Sequence, residues 1–172
     1  MKRCFYIFIF LIPQIVYGQN HMQFLGHAIT GDIKTFVNRL KSEGFKPISK
    51  KYKFGGMKTK TLKGTFWKFP ECHIVVRQPL QYEDVTSVYI HPLSNYVLLP
   101  DLVESLDAKY GKHEKYNLKV DVNAITLVWN IPKGQIHIFA STIYGQVFDI
   151  LYSDYQEVKL LNNLRDKVDR DL

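Results

Sequence analysis

The residue pair with the clearest chemical potential is Cys72-His73, because a thiol beside an imidazole is the pair that cysteine nucleophiles use. Residues 72–78 are rich in β-branched side chains and predict a strand. Neighbouring residues of a strand point to opposite faces of the sheet, so this thiol and imidazole cannot act together from there. We therefore predict that Cys72 is a small, buried core thiol.

The histidines and carboxylates show no spacing typical of a catalytic or metal site. Neither His-x-His nor His-x-x-x-His occurs, and no nucleophile elbow, phosphate-binding loop or Rossmann glycine pattern is present. Histidines on different strands could still meet across a sheet, so a metal site stays open as an alternative. The sequence predicts no cofactor, no metal and no catalytic residue. The histidines are His21, His27, His73, His91, His113 and His137.

Residues 44–70 contain eight lysines and no acid. Such a patch attracts an anionic polymer, anionic lipid headgroups or an acidic protein. Arginine, the better bidentate phosphate ligand, is absent from the stretch, and we do not expect nucleic acid as a partner. The alternative is an edge hairpin whose lysines prevent aggregation between sheets. The residues that we predict to bind a ligand are Lys50, Lys51, Tyr52, Lys53, Lys58 and Lys60.

Residues 1–18 have the layout of a secretory signal peptide. Lys2 and Arg3 precede an apolar run that ends near Val16, and Gly18 offers a small residue for cleavage. The run has about a dozen residues, whereas a spanning helix needs about 20. An uncleaved N-terminal anchor is the alternative. We expect cleavage near Gly18 and a periplasmic or secreted mature chain with no transmembrane helix. Cys4 leaves with the leader, which excludes an internal disulfide.

Hydrophobic periodicity predicts three helices among several strands. Apolar residues at Ile33, Phe36, Val37 and Leu40 indicate a helix over 32–43 that Gly44 ends. A second helix is expected over about 95–109, with a possible later start at Pro100. Gly55-Gly56 is typical of a hairpin turn between strands at 45–54 and 60–69. The remaining predicted elements are strands at 72–78, 85–91, 125–131, 135–141 and 146–152, and a C-terminal helix over about 153–170.

The two halves of the chain share a tryptophan-x-apolar-proline pattern. It begins at Trp67 and again at Trp129, 62 residues later, although chance similarity of amphipathic segments could produce it. We predict one α+β domain over 19–172, built as a tandem repeat of a helix plus three or four antiparallel strands, with a C-terminal helix. Repeat one would cover about 24–92 and repeat two about 95–152. Alternation over 135–141 indicates a sheet with one buried face and one partly open face that carries His137 and Phe139.

Several short motifs carry a resemblance to known families. They are Phe24-Leu25-Gly26, Ile29-Thr30-Gly31-Asp32, Phe36, Leu40, Gly44-Phe45 and Leu106-x-x-x-Tyr110-Gly111-Lys112. The chain resembles small exported domains of unassigned function from Gram-negative gut bacteria. Its tandem layout is also similar to the β-lactamase-inhibitor-protein type of fold, which implies binding rather than catalysis. That fold type carries disulfides and this chain does not, so no functional residue transfers from the resemblance.

These observations predict an exported, non-catalytic binding or envelope-assembly domain of unknown ligand, and the lysine-rich hairpin makes an anionic ligand one candidate. The alternative is a protein that binds or inhibits a partner through the open sheet face. A hydrolase whose site is assembled only in the folded chain ranks third. The expected partner is therefore an anionic envelope component or another exported protein.

Overall fold

The computed structural model of the chain describes residues 21–93, 98–117, 124–141 and 147–159. Of these residues, 49% lie in strands and 23% in helices. The predicted fold class, an α+β tandem repeat of a helix plus three or four strands, is therefore wrong. The protein is mostly β, with one antiparallel eight-stranded sheet and a small two-stranded sheet. The predicted leader over 1–18 and its cleavage site lie outside the described residues.

The large sheet has the strand order β3-β4-β5-β6-β10-β9-β8-β7, and every neighbouring pair is antiparallel. β1 and β2 form the separate small sheet. The short strand β3 therefore lies at one edge of the large sheet and β7 at the other. The strands are β1 Gln23–Phe24, β2 His27–Ala28, β3 Lys46–Pro47, β4 Met57–Phe66, β5 Phe69–Pro79, β6 Ser87–Pro92, β7 Glu114–Asn117, β8 Ala124–Ile131, β9 Gly134–Ser141 and β10 Val147–Asp154.

The two longer helices form where periodicity and end signals predict them. Helix α1 is Ile33–Ser42, and the Asp32 carboxylate accepts hydrogen bonds from two backbone N–H groups of its first turn, each at 3.0 Å. Hydrogen bonding from Thr35 lowers the pKa of Asp32. Helix α2 is Leu99–Tyr110, with Pro100 in the first turn, so the later start is confirmed.

The hairpin around Gly55-Gly56 is not the one predicted. The actual hairpin joins β4 to β5 through Trp67 and Lys68, and only two residues of the segment 45–54 lie in a strand. In this turn a tryptophan, Trp67, takes the positive φ of 51° that a glycine usually takes. The sequence therefore has no glycine that would mark the turn. At the other end of the sheet, β10 continues to Asp154, which leaves helical residues only at 155–159. The rest of the predicted C-terminal helix lies outside the described residues.

The two faces of the large sheet differ in what covers them. The face that we call the core face packs against α1 and α2 in one hydrophobic cluster, to which Ile74, Ile138 and Ile150 contribute. The opposite face, which we call the second face, carries polar and aromatic side chains. In β9 the alternation is as predicted, since Ile136 is fully buried while Phe139 is 38% exposed on the second face.

Candidate functional site

Seven of the eight lysines in the acid-free stretch have exposed side chains on or beside β3 and β4, at one edge of the large sheet. We call this set the cationic edge. Among the described residues, none of the seven forms an ion pair, whereas the eighth, Lys68, lies 3.0 Å from a carboxylate oxygen of Asp101. The edge thus concentrates positive charge without internal neutralisation. Its members are Lys46, Lys50, Lys51, Lys53, Lys58, Lys60 and Lys63.

The segment 48–56 is fixed on the second face by two aromatic side chains. The Tyr52 hydroxyl lies 2.7 Å from Nδ1 of His73, and the ring of Phe54 packs against Tyr89 with centroids 5.4 Å apart. The guanidinium of Arg77 lies 4.6 Å from the centroid of the Phe54 ring. Tyr52 and Phe54 are half-buried and alternate with exposed lysines, so the segment uses its aromatic residues as anchors and leaves its lysines in solvent.

The structure distributes the predicted binding residues around the sheet edge instead of gathering them into one pocket. Lys50, whose ammonium lies 5.1 Å from the Tyr52 ring centroid, belongs to the second face. Lys58 and Lys60 pair with Gln78 and Val76 across the β4–β5 ladder, which places them on the side of the core face. Tyr52 is an anchor whose hydroxyl is already engaged. The arrangement suits a ligand long enough to touch both sides of the edge.

Like charges meet within this edge. Lys46 on β3 lies directly opposite Lys63 on β4, a pairing of equal charges that destabilises neighbouring strands. Lys63 is in turn paired with His73, whose pKa is lowered first by burial and then by the charges of Lys50, His91 and Lys63. An anion bound there would relieve this repulsion.

The lowered pKa of His73 and of His137 predicts a loss of stability in mild acid. Burial is the main cause of both shifts, and for His73 the charges of Lys50, His91 and Lys63 add to it. As the pH falls below about 6.5, these histidines bind protons in the unfolded chain before they do so in the folded chain. The free energy of unfolding therefore decreases until the pH has passed the lowered pKa of the folded state.

Urea unfolding at pH 7.5 and pH 5.5 measures this change. In the double variant His73→Asn/His137→Asn, the free energy of unfolding should change less between these two pH values than it does in the parent chain. An unfolding free energy of the parent chain that rises on acidification would contradict the assignment.

A second cluster of titratable groups lies beside these anchors on the second face. Nδ1 of His91 lies 2.6 Å from a carboxylate oxygen of Asp149, and the rings of His73 and His91 stack with centroids 6.3 Å apart. Burial and a hydrogen bond with Asp149 raise the pKa of Tyr89, which keeps its hydroxyl protonated. A histidine–aspartate pair orients an imidazole for proton transfer. No group of three or more potential metal-ligating side chains occurs in the part of the chain that the structure describes.

Cys72 is a buried core thiol, as predicted. It is fully buried on the core face, and burial raises its pKa to about 11. His73, its neighbour in the chain, is on the second face. A protonated thiol behind the sheet cannot act as a nucleophile towards a ligand on the other side.

Sequence reasoning missed the ion pair that connects the second face to the C-terminal helical residues. A guanidinium nitrogen of Arg77 donates to a carboxylate oxygen of Glu157 at 2.9 Å, and the Thr86 hydroxyl donates to the other oxygen at 2.7 Å. The Glu157 side chain is completely buried. The partners are 80 residues apart, so spacing offers no signal for the pair.

Comparisons of the chain with models of known protein families, with characterised proteins and with solved structures find no match. The function must therefore be argued from the chain's own residues. No helix in the described ranges is long and apolar enough to cross a membrane.

Proposed function

We propose that this protein is an exported, non-catalytic binding domain that holds an extended anionic polymer along its cationic edge. The observation that carries the proposal is the set of seven exposed lysines that have no acidic partner among the described residues. Concentrated positive charge of this kind attracts polyanions from a distance and is screened by salt. The opposed lysines of β3 and β4 support this interpretation, because their repulsion weakens the edge unless an anion neutralises it.

The shape of the edge favours a polymer over a membrane. The lysines lie on both sides of β4, where a chain molecule can follow them but a flat bilayer surface meets only one side. The exposed large hydrophobic residues of the described chain all lie outside 46–63, so this stretch offers no fully exposed large apolar side chain to insert between lipid chains. An acidic polysaccharide with regularly spaced carboxylates or sulfates is the matching ligand class.

Export is part of this proposal and rests on the layout of residues 1–18. Its test is direct, since the N-terminal residue of the protein recovered from its native envelope should lie near position 19. Recovery of the chain with Met1 intact would contradict it.

Replacing three lysines of the edge should weaken retention on an acidic polysaccharide resin. The variant Lys51→Gln/Lys53→Gln/Lys58→Gln removes three positive charges without touching the aromatic anchors, so we expect elution at markedly lower salt than the parent protein. The matched control, Lys112→Gln/Lys115→Gln/Lys159→Gln, removes the same charge from exposed positions elsewhere and should elute with the parent.

Four results would argue against a polymer ligand at this edge. Equal elution of both triple variants would show that only net charge matters. Failure of the parent protein to bind the resin would exclude an acidic polysaccharide as the ligand. Stronger binding to vesicles with anionic headgroups than to the resin would favour a membrane. Aggregation of the edge variant without loss of binding would support the protective role of the lysines instead.

A second candidate function is supported by apolar exposure on the second face. Phe139, Tyr116 and Val147 are 38%, 51% and 40% exposed, and the strand registers place all three on this face of β7, β9 and β10. Exposed apolar side chains that share one face are typical of a protein-binding surface. A pull-down from the native envelope with the parent protein and with Phe139→Asp tests this alternative. One stoichiometric protein that the variant loses would support it, and recovery of glycan alone would oppose it.

A further inference from the structure

A cleft of about 610 Å³ lies at the end of the sheet where β4 turns into β5. Five separate parts of the chain form it: the small sheet, the β4–β5 turn, the end of α2, the β8–β9 turn and β10. Its volume falls in the range of small-molecule sites. The aromatic residues of its lining are Phe24, Phe66, Trp67, Tyr110 and Tyr152.

Aromatic rings form much of the wall. Phe24 and Phe66 stack with centroids 5.6 Å apart and planes 19° apart, and Tyr152 meets both rings edge-on at 5.5 Å and 6.3 Å. The three residues are buried and hold one another in place. Trp67 and Tyr110 add two half-buried rings. A flat, unsaturated ligand would find stacking and edge contacts on several sides.

The backbone around the cleft is strained at two positions. Leu25 and Trp67 both have a φ of 51°, and they are the two non-glycine residues with positive φ in the described ranges. Both line this cleft, and Leu25 is 43% exposed. Large side chains in this conformation cost free energy, and such residues cluster at binding sites because the conformation presents a particular side chain to a ligand.

The polar groups of the cleft point to a ligand with an anionic end. Tyr110 and Tyr152 bring two phenol groups to the lining, and a phenol hydroxyl can donate a hydrogen bond to an acid group. Lys109 and Lys133 are the lysines of the lining. No carboxylate belongs to the lining, although an oxygen of Asp154 lies 3.2 Å from Nδ1 of the lining residue His21. The cleft therefore offers positive charge and phenol hydroxyls beside aromatic walls.

We propose that this cleft binds a small aromatic anion, with its ring system against the aromatic walls and its acid group held by Lys109, Lys133 and the hydroxyl of Tyr152. The site is separate from the cationic edge, because none of the seven lysines of that edge lines it. The protein would thus carry a small-molecule site in addition to its polymer-binding edge.

Isothermal titration with 2-naphthoate and with its neutral analogue 2-naphthalenemethanol tests this proposal on the mature chain. We expect saturable one-to-one binding of 2-naphthoate and at least a fivefold preference over the neutral analogue. Trp67→Ala should weaken both ligands about tenfold or more. Lys109→Gln/Lys133→Gln should weaken 2-naphthoate alone and remove the preference.

Control variants separate the cleft from the rest of the surface. Phe139→Ala removes an exposed aromatic ring from the second face, and Lys112→Gln/Lys115→Gln removes two exposed lysines. Neither should change the affinity for 2-naphthoate. Circular dichroism checks the fold of each variant, and Tyr110→Ala replaces Trp67→Ala if the latter does not fold. The variant Lys51→Gln/Lys53→Gln/Lys58→Gln should bind 2-naphthoate normally, so the two sites can fail independently.

Two outcomes would overturn the whole proposal, and a third would overturn its anionic part. One is the absence of saturable binding of 2-naphthoate at 1 mM. The other is binding that survives both the aromatic and the lysine substitutions in the cleft. Equal affinity for the charged and neutral ligands would refute the anionic part of the assignment.

Discussion

Replacement of Glu157 by alanine is expected to lower the free energy of unfolding by about 3–5 kcal/mol, because it leaves the Arg77 guanidinium charged and buried without its acid. The Arg77 side chain is 10% exposed and that of Glu157 is not exposed at all, so water cannot take over the lost contact. Thr86 would lose the acceptor of its hydroxyl as well. A small domain has only about 5–15 kcal/mol of stability, so the loss would be a large share of the total.

A double variant separates two effects of the substitution: the cost of leaving the buried Arg77 charge unpaired, and the loss of the ion pair itself. Arg77→Met/Glu157→Leu removes both charges and keeps apolar volume in their place, and we expect it to recover most of the loss. Urea unfolding followed by circular dichroism measures all three proteins. If Glu157→Ala unfolds at the same urea concentration as the parent, the pair contributes nothing to the attachment of residues 155–159 to the sheet.

Replacement of Gly134 by alanine is expected to cost at least about 3 kcal/mol or to prevent folding. A Cβ atom at this position would lie 2.0 Å from the carbonyl oxygen of Ser153 and 3.2 Å from the Cα of Asp154. Both neighbours are backbone atoms of β10, so the central β9–β10 pair would have to separate. The φ of +155° adds strain for any residue with a side chain.

Gly55→Ala is the matched control for this substitution. An added Cβ there has no atom within 4 Å and the φ is not positive, so we expect a change of less than about 0.5 kcal/mol. Thermal unfolding of the two variants side by side measures the difference. A Gly134→Ala protein that melts with the parent would mean that β9 and β10 do not approach as closely as described.

The helices could be predicted from the sequence because each carries two independent signals. The apolar spacing of α1 coincides with an acidic N-cap at Asp32, and both helices are followed by a glycine with positive φ, Gly44 and Gly111. The fold class could not be predicted in the same way. β3 and the strands of the small sheet have two residues each, too few to show alternation. The order of strands in one continuous sheet depends on contacts that local pattern does not encode.

Composition identified the residues that we propose to bind, but it could not place them. Counting charge over 44–70 found the lysines. The register between β4 and β5 puts Lys58 and Lys60 on one side of β4 and Lys63 on the other. Tyr52 was predicted as a ligand contact, and the contact of its hydroxyl with Nδ1 of His73, 21 residues away, is one that the sequence does not reveal. The aromatic cleft joins five parts of the chain, and its strongest local mark, a tryptophan with positive φ, is visible only in the folded backbone.

Protection of lysines from acetylation in the presence of an acidic polysaccharide tests the cationic edge most directly. Mass spectrometry compares the labelling rate of each lysine with and without the polymer. We expect the acetylation of Lys51, Lys53 and Lys58 to be slowed together, while Lys112, Lys115 and Lys159, which are also exposed, are labelled at an unchanged rate. Uniform slowing of all six lysines, or no slowing at the edge, would contradict it.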